Sequence, residues 1–147
     1  MSHVLQARLR PICVLGLACL YAAGGVQAVQ PTDPVQAIAQ ARQLLSSLSD
    51  SVGASRYAEV GREYGPLVDA VRNGKASVDQ LLTMRDITLK LRERTTARLE
   101  AAEAAAGENE AALEGLYRSI TWDDLSFATA AFLYWGAWLD LELSKQW

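Results

Sequence analysis

Apolar residues recur at spacings of three and four along most of the chain, the period of helices that each bury one stripe. Asp33-Pro34 suits a helix start: the Asp side chain accepts from first-turn N–H groups, and Pro loses nothing at the first helical position. Ile38, Ala41, Leu45, Leu48 and Val52 then form a first stripe, predicted to end at Gly53. A second stripe runs Tyr57, Val60, Tyr64, Leu67 and Val71. Gly65-Pro66 lies inside it, and because Pro cannot donate the i to i−4 bond a kink or break is expected there. Asn73-Gly74 is expected to close this element through the left-handed conformation. Ser77-Val78-Asp79-Gln80 fits a capping box, and Met84, Ile87, Leu91, Thr95, Leu99, Ala102 and Ala106 follow as a narrow seam suited to a partner helix. The pattern pauses at Gly107 and Asn109, where a bend is predicted, and resumes with Ala112, Leu113, Leu116, Tyr117 and Ile120. Sustained period-two alternation, repeats and low-complexity tracts are all absent, so the pattern predicts an all-α bundle of four or five helices.

The last helix differs from the others. Thr121-Trp122-Asp123-Asp124 is expected to cap it, with acids in the first turn where the helix dipole favours them. No charge lies between Asp124 and Asp140, and Phe127, Phe132, Tyr134, Trp135 and Trp138 point in all directions at 100° per residue. One reading makes this highly apolar, aromatic helix the central one, buried on several sides. The other makes it a docking surface, with Phe132, Tyr134, Trp135 and Trp138 as partner-binding residues, because large aromatics dominate interface energetics at little entropic cost. Membrane insertion fails on length: the uncharged run would reach only roughly 22 Å, against a hydrocarbon core of about 30 Å.

The N-terminus adds a processing signal. His3, Arg8 and Arg10 precede an apolar run from Ile12 to Ala23, then Gly24-Gly25 and Val26-Gln27-Ala28, the layout of an export signal cleaved after Ala28. Residues 1–28 therefore read as a signal peptide and 29–147 as a single helical domain. Leu17-Ala18-Cys19 also resembles the end of a lipobox, which would leave Cys19 as a lipid anchor; otherwise Cys13 and Cys19 are small apolar members of the run. With no stop-transfer pattern following, no stable membrane span is expected, and attachment would be peripheral or through that lipid.

Removing 28 of the 147 residues leaves 119, enough for one core. Arg8 and Arg10 depart with them, leaving 12 basic against 17 acidic residues, a net charge of −5. That balance argues against nucleic acid as a partner. The only histidine and both cysteines precede Ala28, so the remainder supports no Ser-His-Asp or Cys-His nucleophile, no thiolate or imidazole zinc site, no axial haem ligand and no disulfide. No cofactor or metal is expected. Glu100, Glu103, Glu110 and Glu114 lack the glycine turn of a calcium loop; they and the basic run Lys90 to Arg98 read as solvated helix faces.

Residues 71–119, from VRNGKASVDQLLTMRD to ALEGLYRS, resemble the periplasmic helical segment of TolC-like outer-membrane efflux proteins. There a Gly-x-x-Ser cap opens a long helix and an Ala-Leu-x-x-Leu-Tyr-Arg run closes it. The resemblance implies a similar local helix grammar over about a third of the chain and assigns no functional residue. The chain is too short for that family's barrel strands and paired long helices together.

These features predict a non-catalytic, exported helical protein of the bacterial cell envelope, located in the periplasm. It would bind another envelope protein as an accessory or scaffold subunit, or as an inhibitor or immunity protein. An exported domain without cysteine or an Asn-x-Ser/Thr site fits that compartment. The alternative is a small hydrolase of envelope glycan that uses Asp123 and Asp124 beside Trp122 as acid and base.

Overall fold

Five helices form where the stripes predict them. The structure is a computed structural model that describes residues 33–147. Within that range α1 spans Pro34–Ser47, α2 Ala54–Asn73, α3 Val78–Ala106, α4 Glu110–Tyr117 and α5 Ile120–Ser144, with no strand among the described residues. The predicted cleavage site after Ala28, and Cys19, lie outside the described residues. No helix of the described residues is long and apolar enough to cross a membrane.

α2 and α3 each pack against both α1 and α5, while α1 and α5 do not meet, so the four long helices occupy the corners of a square with α1 diagonal to α5. α4 touches only α3 and α5 and buries no residue. The whole stripe Tyr57, Val60, Tyr64, Leu67 and Val71 is buried, as are Met84, Ile87, Leu91 and Thr95 of α3. Leu99, Ala102 and Ala106 are only half-buried, because α3 there outruns its long neighbours and only α4 folds back on it.

A buried polar knot ties α2 to α3. The Tyr64 hydroxyl meets Thr88 Oγ1 and donates to the Met84 carbonyl at 3.3 Å, and Thr88 Oγ1 donates to that carbonyl at 2.7 Å. The edge of the Tyr64 ring meets Phe132 of α5 at 5.7 Å between centroids. Burial pushes the Tyr64 phenol well above its ordinary range.

The helices depart from the sequence expectation in four places, three of them at helix ends. α1 stops at Ser47, with Leu48 extended as its C-cap, and Gly53 is the N-cap of α2. The end of α1 is held from a distance: Arg94 of α3 donates to the carbonyls of Leu45 (2.6 Å) and Leu48 (2.9 Å), and Arg98 donates to Val52 O at 3.3 Å. Arg94 thus serves the cap carbonyl of Leu48 and adds a second donor to Leu45 O, which already accepts from Leu48 N, while Arg98 holds the connection to α2 at Val52, so these two arginines do not merely form a solvated face. α2 runs unbroken through Pro66, and the carbonyl that Pro66 leaves without an intrahelical donor is that of Arg62, an exposed residue.

Behind Asn73, Gly74 has φ −81° and the left-handed residue is Lys75, at φ 54°. A Cβ on Gly74 would lie 2.6 Å from Pro34 Cδ, so glycine is needed there for space. The N-cap of α5 is Ser119, whose Oγ accepts from Trp122 N at 3.2 Å; Thr121 already lies inside the helix. The expected bend at Gly107 is present as a full break: Gly107 has φ 65°, and Asn109 caps α4 by accepting from Ala112 N at 3.1 Å. The capping box at Ser77 and Gln80 is complete.

Candidate functional site

The placement of α5 depends on two glycines of α2. Gly61 and Gly65 lie one turn apart on the face toward α5, where a Cβ would come within 3.3 Å of Ala128 Cα and 2.9 Å of Trp135 Cζ2 respectively. With no side chain at these two positions, the α5 backbone reaches α2 and the Trp135 ring packs against Gly65. On the side toward the core α5 buries Leu125, Ala128, Phe132, Leu139 and Leu143.

The opposite side of α5 is bare. Phe127 (45% exposed), Leu133 (47%), Tyr134 (62%) and Leu141 (55%), with exposed Ala130 and Ala137 between them, form one apolar strip. Their positions fall within a single helical face about 21 Å long. α5 is thus buried on one side only, contrary to the expectation of a helix enclosed on several sides. The strip is flanked by arginines. On the α2 side Arg62 stands over the Phe127 ring and Arg72 over the Trp138 ring, each 5.3 Å from the centroid. On the α3 side a cleft lined by Arg85, Leu89, Arg92, Leu133, Gly136 and Ala137 runs along the strip. Arg85 is ion-paired with Asp140. Among the described residues no ion pair engages Arg62, Arg72 or Arg92.

The four aromatics expected to bind a partner divide between core and surface. Phe132 is fully enclosed in the core, so it presents no surface to a partner. Trp135 and Trp138 are half-buried against the core, and Tyr134 stands in solvent with its ring edge-on to Trp135 at 4.8 Å. Phe127, Leu133, Leu141 and the flanking arginines were missed. Gly61 and Gly65, spaced by four, are a signal in the sequence for the face of α2 that receives another helix closely.

Carboxylates gather in no pocket. Asp123 is exposed in the first turn of α5, two turns before the cleft begins, and half-buried Asp124 does not line the cleft either. Among the described residues no three His, Cys, Asp or Glu side chains are grouped to hold a metal ion. Compared with known proteins, the chain matches no family model, no curated protein and no solved structure.

Proposed function

We propose that this protein is an exported, non-catalytic helical component of the bacterial cell envelope. Working in the periplasm as an accessory or scaffold subunit, it binds another protein through the bare face of α5. The observation that carries this reading is the continuous apolar strip. Its four large side chains alone expose about 400 Å² if each offers ~200 Å² when fully free, the size at which surface patches tend to be functional. Exposed Tyr134 and half-buried Trp135 and Trp138 supply rigid anchors, and the surrounding arginines supply a polar rim. The hydrolase alternative gains nothing from Asp123, which stands in solvent at a helix start.

The test is a crosslinking pull-down from envelope fractions that compares the parent chain with a Leu133→Asp/Tyr134→Asp variant. Both positions are exposed, so the bundle is expected to keep its helicity. Loss of a specific crosslinked protein in the variant supports the reading. Identical recovery from a folded variant refutes it.

A further inference from the structure

The net charge of the chain is not spread over its surface. Residues 100–117 hold five glutamates and no basic residue, so the rest of the described chain carries twelve acids and twelve bases. This acidic segment is the end of α3 with α4, and none of its side chains is buried. From Ala104 to Gly115 its surface between the glutamates is small, with Ala104, Ala105, Ala111 and Ala112 exposed and nothing near a Cβ on Gly115, and Tyr117 at its end is half exposed. The segment is tied down, with Tyr117 donating to Glu103 at 2.9 Å and packing edge-on against Trp122. It lies beyond the N-terminal end of α5 and is anchored there through Ser119, so it does not reach the strip of its own chain.

We infer that this acidic, small-residue tip of one copy seats on the arginine-flanked apolar strip of α5 on the next, so that the protein assembles head to tail. Charge and shape both favour this occupant. Arg62, Arg72 and Arg92 form no ion pair among the described residues, and of the tip's glutamates Glu100, Glu108 and Glu110 form none either, while Glu114 is paired with Arg118 of its own chain. Phe127, Leu133, Tyr134 and Leu141 are bulky, while the tip presents alanines and a glycine over which they can close. Pairing two α5 strips with each other would set arginine rim against arginine rim. The flat surface of an anionic bilayer would leave the cleft beside Gly136 and Ala137 unfilled and would meet a chain of net negative charge. Because donor and acceptor surfaces differ, the contact is heterologous and propagates to rings or filaments.

The inference rests on the reading that the α5 strip binds protein, and the test separates the two. Two variants of the chain, purified after export, are examined by analytical ultracentrifugation at low salt: Leu133→Asp/Tyr134→Asp, which spoils the strip, and Glu108→Lys/Glu110→Lys, which spoils the tip. The parent should form species larger than a dimer that dissociate as salt is raised, and each variant alone should associate at least tenfold more weakly. Mixed together, the two variants should form a one-to-one pair, since each retains the surface the other lacks. Failure of the mixture to pair, or undiminished assembly of either variant, overturns the inference.

A photo-crosslinker placed at Tyr134 of the parent in cells distinguishes the remaining cases and needs no destabilising substitution. An adduct to residues 100–118 of a second copy supports the inference. An adduct only to a different protein overturns self-assembly but leaves the docking role of α5. Absence of any protein adduct, together with cosedimentation with phosphatidylglycerol vesicles that the strip variant loses, overturns both.

Discussion

Replacing Gly65 by alanine tests the packing of α5 directly. In an exposed helix interior the change is favourable by about 0.8–1 kcal/mol, because alanine restricts the unfolded chain and suits the helix. At Gly65 the new Cβ would stand 2.9 Å from Trp135 Cζ2, inside the closest approach of carbon atoms, and Trp135 is held between α2 and its own helix. Overpacking of this kind costs about 1–3 kcal/mol, so the net effect should be roughly 1 kcal/mol of destabilisation. Adding Gly61→Ala places a second Cβ 3.3 Å from the Ala128 backbone, which cannot rotate away, and the pair should cost roughly 2 kcal/mol. For a domain of this size each kcal/mol should lower Tm by about 3–6 °C. The assay is thermal and urea unfolding by far-UV circular dichroism, with tryptophan emission expected to move to the red as Trp135 is displaced. Gly115→Ala is the internal control: its Cβ would meet nothing, so the same substitution there should be neutral or stabilising. If Gly65→Ala is as stable as Gly115→Ala or more so, the close contact of α2 with α5 is wrong.

Arg94→Ala should destabilise by about 1–2 kcal/mol, measured by urea unfolding, because it removes two charged hydrogen bonds from the end of α1. The loss should appear first as faster amide exchange in residues 41–48. Lys75→Gly should stabilise by about 1 kcal/mol in the same assay, since it relieves a left-handed non-glycine residue. Tyr64 fixes the alkaline behaviour: its phenol titrates higher in the folded than in the unfolded state, so its contribution is fully present below pH ~10 and is lost as pH rises above that, at up to about 1.4 kcal/mol per unit. Tyr64→Phe should flatten this alkaline fall, as read from urea midpoints across the range, at the cost of about 1 kcal/mol near neutrality for the lost hydrogen bonds.

What could be read in advance follows from where each helix carries its information. The α2 stripe is entirely buried because polar residues on the other faces leave a single solution for its orientation. The break at Gly107 and the box at Ser77 are local devices, complete within four or five residues, and they appear as read. α1 was extended too far because Leu48 and Val52 continue the period after the helix has stopped; Arg94, 46 residues further on, supplies the carbonyl partners that permit the stop. α5 resisted for the opposite reason. Between Leu125 and Leu139 every face is apolar, so periodicity alone could not say whether Phe132 or Tyr134 turns outward. That choice is made by the fit of α5 into the groove between α2 and α3, where Gly61 and Gly65 leave room for Ala128 and Trp135.

The arginine latch on α1 also sets an order of events. A 14-residue segment is too short to hold helical form in water by itself, and the groups that finish its C-terminal end lie in α3. α1 is therefore expected to settle only once residues 94–98 have folded against it. The first helix of the bundle should accordingly be the last to gain protection, so limited proteolysis of the refolding chain is expected to cut first at the turn after Ser47.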